Sequence, residues 1–435
     1  MIATPLAIHI CTMFARLAKA RAAQKGLVVV AVAATKTFTQ PQLALLLLVV
    51  FSLLQMWPQH SGAAVLPEER VDVLYHRYEG GGMVIDGPSV LVRKNIKDKI
   101  SLSANYYVDN VSSASIDVLT QGASRYTEER TEYSFDAAYL TGKTQFNIGA
   151  TLSDENDYEA KSVRFDISHA FFSEMTTIGI GYSQGDDDIS NSQNDTFFRE
   201  LKRRNYRFNI SQILSKNLIV NLNYEGIVDE GYLQNPYRRI IETSCASGGI
   251  DFASCASADR GVALADEVYP STRNSDAFSL KFAYHLPWEA ALKTRLGYFS
   301  DSWDIDSFSI EFDYSHRFSE KLIADFRVRY YDQSQAFFYA NQFFVSGPTI
   351  PQFRGRDKEL SQHSSYSVGA GVSYRIELDN WFTDVSFNGQ FDYFRFSYDN
   401  FLEYNSAVNA DTDILGAPSY QFDAGVLRLF ATARF

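Results

Sequence analysis

Phe308-Ser309-Ile310-Glu311-Phe312-Asp313-Tyr314-Ser315-His316-Arg317-Phe318-Ser319-Glu320-Lys321-Leu322-Ile323-Ala324-Asp325-Phe326-Arg327-Val328-Arg329-Tyr330 reads as two strands and the turn between them. Phe308, Ile310, Phe312 and Tyr314 share one face, with Glu311 and Asp313 opposite. Past Phe318-Ser319-Glu320, Leu322, Ala324, Phe326, Val328 and Tyr330 share a face, with Asp325, Arg327 and Arg329 opposite. A period of two is the mark of an extended chain with two different environments. Strands of soluble proteins average about 5–6 residues. These run to roughly 11, the length that crosses a bilayer at a tilt. One face is therefore expected in lipid and the other in a polar interior.

The same alternation recurs along the chain. Ile100, Leu102, Ala104, Tyr106 and Val108 oppose Ser101, Ser103, Asn105, Tyr107 and Asp109, and Tyr133, Phe135, Ala137 and Tyr139 oppose Glu132, Ser134, Asp136 and Ala138. It returns at Phe146–Leu152, Tyr206–Ile210, Leu218–Tyr224, Phe278–Tyr284 and Tyr366–Tyr374. Seven short turns, among them Lys97-Asp98-Lys99, Thr141-Gly142-Lys143, Phe172-Ser173-Glu174, Leu214-Ser215-Lys216 and Leu378-Asp379-Asn380, alternate with longer connections at 110–128, 154–160, 186–202, 229–273, 333–363 and 397–419, and with a tight one at 301–304. Short turns on one rim and long loops on the other are the asymmetry of membrane barrels, which sandwiches and propellers do not share. Seven turns give fourteen strands. A strand near Val71–Tyr78 and another at Gln421–Phe435 bring the expected all-β, transmembrane antiparallel β-barrel to about sixteen (14–18).

Composition hides this. With 46% hydrophobic residues and mean hydropathy −0.19 the chain averages like a soluble protein, because the two faces cancel; the 33 Phe and 26 Tyr are the informative excess. Residues 1–64 read as an amino-terminal extension plus signal peptide, with an apolar core at 43–57 too short to span a membrane and small residues Ser61-Gly62-Ala63-Ala64 after it. Residues 65–435 are then one barrel. The leader holds Arg16, Lys19, Arg21, Lys25 and Lys36 and no acidic residue, so the remainder carries 35 basic against 52 acidic residues, a formal −17. Such a polyanion excludes nucleic-acid binding. Cys245 and Cys255 are expected to pair in an oxidising compartment.

The last strand ends on Phe435, and a strand finishing flush at an aromatic residue resembles the sorting signal of bacterial outer-membrane barrels. Six blocks extend the resemblance: Leu66-Pro67-Glu68-Glu69-Arg70 with Asp72-Val73-Leu74-Tyr75-His76; Asp86-Gly87-Pro88-Ser89-Val90-Leu91-Val92-Arg93-Lys94; Tyr106-Tyr107-Val108-Asp109; Asn235-Pro236-Tyr237-Arg238; Tyr298-Phe299-Ser300-Asp301-Ser302-Trp303; and Arg356-Asp357-Lys358-Glu359-Leu360-Ser361. Together they resemble an uncharacterised family of proteobacterial outer-membrane β-barrel proteins known only as a domain of unknown function. The resemblance implies the outer membrane of a Gram-negative bacterium, with lipid, lipopolysaccharide and the barrel-assembly machinery as partners and Phe435 as assembly signal. It carries over no activity and no functional residue.

The candidate site is the charged inner face. Lys281, Lys293 and Arg295 fall on neighbouring strands, Glu311 and Asp313 on the next, then Asp325, Arg327 and Arg329; Arg164, Asp166, Arg207, Glu225, Arg375 and Asp392 point inward in the same register. Rings of charge select small solutes, whereas opposite charges on neighbouring strands brace a wall; the second reading carries slightly more weight. The acidic runs at Asp186-Asp187-Asp188 and at Asp154, Glu155, Asp157 and Glu159 lack calcium-loop spacing and read as solvated loop charge, so neither metal nor cofactor is expected. Strand-end tyrosines such as Tyr106, Tyr182, Tyr224, Tyr298, Tyr330 and Tyr393 read as interfacial girdles; a row of inward aromatic residues is not apparent. His363 before Ser364 and Ser365 is the sole hint of a hydrolase, and no enzyme is expected. The leading expectation is a porin-like channel for small polar solutes. The alternative is a barrel plugged by 333–363 or 229–273 that partners an exported complex.

Overall fold

A period-two strand with one oily face is stable in lipid only if every backbone group finds a partner, and a closed ring is the sheet that provides this. The computed structural model describes residues 65–113, 126–249, 251, 254–345, 351–378, 381–403 and 417–435; the signal-peptide expectation and Cys11 lie outside the described residues. Its strands are β1 (Arg70–Gly80), β2 (Met83–Ile96), β3 (Ile100–Ser113), β4 (Tyr126–Thr141), β5 (Thr144–Asp154), β6 (Tyr158–Phe171), β7 (Thr176–Ile189), β8 (Arg199–Ser215), β9 (Leu218–Gly231), β10 (Arg239–Cys245), β11 (Arg260–Asp266), β12 (Thr272–Leu286), β13 (Ala290–Asp301), β14 (Asp306–Arg317), β15 (Leu322–Gln333), β16 (Phe343–Phe344), β17 (His363–Glu377), β18 (Asp384–Leu402) and β19 (Ser419–Arg434). All but β10, β11 and β16 close into a sixteen-stranded barrel. The seam joins β1 to β19 antiparallel, from Arg70 opposite Arg434 to Gly80 opposite Ala424. The strand count expected from the turns and the pairing of Gln421–Phe435 with Val71–Tyr78 both hold.

The oily face is outside. Phe135, Ile148, Val163, Tyr366 and Phe391 are each more than half exposed, as a belt facing lipid must be. Among the described residues no helix is long and apolar enough to cross a membrane; the strands are what cross.

Two expectations need correction. The connection after β5 is only 155–157, and β7 and β8 run outward as a paired ribbon, Asp187 opposite Leu201 and Asp188 opposite Glu200. Charged side chains there suggested a loop, but backbone pairing above the membrane does not depend on an apolar face. The short turns that contain a central serine differ in conformation. Phe172, Ser173 and Glu174 all take left-handed φ (50°, 54° and 69°), while Ser215 sits at a register shift in β8.

The two longest connections carry strands among their described residues. Residues 232–271 carry β10 and β11 as a hairpin, which pairs in parallel with β16 from the 334–362 connection. Cys245 and Cys255 form a disulfide at the base of the hairpin's tip, with Cα atoms 5.9 Å apart.

Candidate functional site: the lumen and its plug

The inward charges form a lattice that leaps strands. Arg207 on β8 reaches Asp166 on β6 at 2.8 Å, and Arg164 on β6 reaches Asp136 on β4. In each case the strand between presents a glycine: a Cβ at Gly181 would overlap the Asp166 carboxylate, and one at Gly149 would overlap that of Asp136. The device recurs where Arg327 on β15 lies 3.7 Å from Asp392 on β18, across Gly369. Other pairs join neighbours: Arg295–Glu311 at 3.2 Å, Arg327–Asp313 at 2.5 Å and Arg375–Asp384 at 2.8 Å. Asp325 accepts a bond from the Ser315 hydroxyl at 2.5 Å, and Glu225 one from the Asn205 amide. Among the described residues Lys281, Lys293 and Arg329 take no ion pair. Sequence reading missed Asp136, Asp384 and Arg428 as lattice members, although each stands at an inward position of its strand. Arg428 lies 3.4 Å from Asp392, and Asp384, only 2% exposed at its side chain, is also held by Arg434 at 2.6 Å.

Alternate residues of β15 mark three levels of the lumen. Ile323, at the short-turn end, lines a cavity of about 970 Å³ shared with Asp72, Asp136, Arg375 and Arg434. Asp325 and Arg327 belong to the lattice. Arg329, Tyr331 and Gln333 line an upper chamber of about 460 Å³ with Trp303, Glu359 and His363.

Above that chamber the mouth is plugged. Inward Phe299, Phe396 and Phe422 pack against a buried cluster of Tyr269, Trp303, Phe338, Leu360, Phe401 and Tyr420, drawn from loops and strand tips. Inward aromatic residues therefore do form a row, contrary to the sequence reading: Tyr331, His363, Tyr398 and Tyr420 lie on β15, β17, β18 and β19 with successive ring centroids 5.7, 4.9 and 5.5 Å apart. Tyr331 was hidden beside the outward Tyr330, while His363, Tyr398 and Tyr420 stood within or at the margin of segments read as connections.

The plug is tied by polar bonds. Glu267, 2% exposed, accepts from the Arg356 backbone N–H at 2.7 Å and from the Tyr269 hydroxyl at 2.9 Å. Burial, then the adjoining Glu267 carboxylate, pushes the Tyr269 phenol well above its ordinary range. Gln333 Nε2 donates to the carbonyls of Glu359 and Ser361, fixing the short 3-10 turn Lys358–Leu360 to the β15 wall. From the other side, the Tyr237 hydroxyl donates to Asp157 in the β5–β6 turn, and the next residue, Arg238, pairs with Asp357. β6 and β17 are eight strands apart in a ring of sixteen, so Tyr237-Arg238 ties structure rooted on opposite walls. Tyr237, Arg238, Asp357 and Trp303 all fall in blocks that carried the family resemblance.

His363 Nδ1 lies 3.2 Å from the Ser361 carbonyl, and Ser364 falls on the opposite face of its strand. The acidic runs are engaged locally: Asp187 with Tyr158 and Arg203, Glu159 with Lys161, Glu155 with Arg130. Beyond the lipid belt, Glu128, Glu155 and Asp157 bring carboxylates within 4.8 Å of one another. Partial burial, then the charges of Asp157 and Glu155, pushes Glu128 up to about 7. Tyr106, Tyr182 and Tyr393 face outward, and the Phe435 ring lies under Lys94 at 4.6 Å and near Phe382.

A family described as "Protein of unknown function (DUF3570)" matches residues 120–423. No curated protein matches the sequence. Similar solved structures include a bacterial polysaccharide outer membrane secretin, at 9% identity over 85% of this chain and 100% of that one, with TM-score 0.45. A FadL homologue from Pseudomonas aeruginosa (11% identity, 86% and 96% coverage) and the outer membrane protein opdK of the same organism (11%, 84% and 98%) both give TM-score 0.38.

Proposed function

From a chain that belongs to the DUF3570 family, which brings no activity with it, we propose a gated passage for small polar solutes across the outer membrane of a Gram-negative bacterium. The observation that carries this reading is a charged, cavity-bearing lumen beneath a plug whose tie between opposite walls runs through one dipeptide, Tyr237-Arg238. A lumen whose charges served bracing alone would leave no cation over, whereas Lys281, Lys293 and Arg329 remain free of ion pairs among the described residues. Outer-membrane lipid and lipopolysaccharide surround the belt, and the assembly machinery reads the strand that carries Phe435. No catalysis is assigned.

A second reading has its own support. The buried Glu267 and the aromatic cluster resemble a core more than a latch, which suits a barrel permanently sealed to partner an exported complex. Single-channel recording in planar bilayers separates the two. The wild type should show rare, brief openings, and Tyr237→Phe combined with Arg238→Gln should raise open probability at least tenfold. Silence from both proteins would overturn the gated reading and favour the sealed one.

A further inference from the structure

The upper chamber contains two opposite charges that its own walls leave unmatched. Of its lining cations, Arg273 is neutralised by Asp301 at 2.6 Å and stacked 4.6 Å from the Trp303 ring. Of its carboxylates, Asp357 is neutralised by Arg238. Arg329, from the β15 wall, and Glu359, from the plug turn, line the same 460 Å³ space, yet neither is in an ion pair with the other or with any described residue. Arg329 is half-buried with its guanidinium 5.4 Å from the Tyr331 ring, and Glu359 is exposed, so both charges stand open to a soluble partner. The polar groups around them are already committed: Gln333 donates to two carbonyls and accepts from the Tyr331 hydroxyl at 2.7 Å. What the chamber offers an occupant is therefore one cation, one anion and the rings of Tyr331, Phe396 and His363. Its volume is that of an ordinary small-molecule site, about 300–1,000 Å³.

We propose that the upper chamber binds a small zwitterion with a flat apolar side chain, of the aromatic α-amino-acid type, its carboxylate on Arg329 and its ammonium on Glu359. A simple anion would satisfy Arg329 and confront Glu359; a simple cation would do the reverse. The proposal deepens the passage reading by naming the solute, but binding is read on detergent-solubilised protein, where conduction plays no part.

Calorimetric titration with L-phenylalanine, 3-phenylpropionate (no ammonium) and 2-phenylethylamine (no carboxylate) tests it. Phenylalanine should saturate one site and bind at least about tenfold tighter than either truncated compound, the scale of one charge-assisted hydrogen bond. Arg329→Gln should lower phenylalanine to the level of phenylethylamine and leave phenylethylamine unchanged. Glu359→Gln should lower it to the level of phenylpropionate. Lys293→Gln, a free lumen cation outside the chamber, should change none of them. All variants should keep the heat-modifiable migration of a folded barrel. Phenylalanine binding no tighter than its fragments, or variants without this crossed pattern, would overturn the proposal. Crossed binding with silent bilayers would sink the passage reading alone; conduction without discrimination would sink this proposal alone.

Discussion

Gly181→Ala is the sharpest test of the strand-leaping lattice, because sequence reasoning and structure disagree on its sign. Replacing a strand glycine by alanine ordinarily stabilises by about 0.5–1 kcal/mol, through the unfolded chain's lost freedom. At Gly181 the added Cβ would overlap the Asp166 carboxylate and approach Arg207 Nε at 3.0 Å. The pair must open to admit it. Its members are about 28–29% exposed, so losing it costs no more than about 1 kcal/mol. Crowding in a packed wall adds about 1–3 kcal/mol. The net expectation is a destabilisation of about 1–2 kcal/mol. Gly389→Ala is the control: its nearest neighbour, Leu429 Cδ2, would lie 3.6 Å away, ordinary contact, so the variant should be neutral or slightly stabilised. Urea unfolding in lipid vesicles, followed by tryptophan fluorescence, reads both. In an Asp166→Ala background the Gly181→Ala cost should shrink by at least about 1 kcal/mol, a coupling measured by the double-mutant cycle. Equal effects of the two glycine variants, or no coupling to Asp166, would refute the claim that these glycines exist to let charges meet.

Three further outcomes follow from other regions. Glu128 titrates near 7 in the folded protein against 4.5 in the unfolded chain, so folding is unaffected below about pH 4.5, loses stability as pH rises to about 7, and is level above; Glu128→Gln should match the wild type at pH 4 and exceed it at pH 8 by about 1 kcal/mol after solvent screening, as read from thermal midpoints. Asp384→Ala leaves Arg375 and Arg434 facing each other beside the seam and should cost about 2–3 kcal/mol, below the 3–5 of a fully buried pair because both arginines are partly exposed; urea midpoints check it, and Asp384→Glu should recover part. Replacing Cys245 and Cys255 by Ser removes about 3 kcal/mol of loop-closure entropy from the hairpin alone, so limited proteolysis should cut within 245–255 while the barrel midpoint stays put.

Lipid made the barrel legible in the sequence. It demands an apolar residue at every second position, so Phe326, Val328 and Tyr330 declared their strand, and the short turns made the count. The plug obeys no such period. Trp303 and Phe338 stood in segments read as connections, yet a solvated loop has no use for buried indole and phenyl rings. That surplus of aromatic residues between strands was the available signal. The charged positions were visible, but their partners were not: Arg207 and Asp166 are 41 residues apart and meet only because Gly181 stands between them in register. Pairing across a skipped strand cannot be read from alternation within one.

The seam between β1 and β19 has a consequence for how such a chain can change over time. Ring closure leaves no free edge, and in lipid an unpaired edge exposes a row of unsatisfied amides. β1 and β19 run antiparallel and begin and end on the same rim. Insertion or loss of a single strand would put those ends on opposite rims and make them parallel. An antiparallel seam survives only when whole hairpins are gained or lost. Relatives of this protein with wider or narrower rings should therefore differ from it by even steps, while the loop rim, free of that rule, is where length can vary one residue at a time.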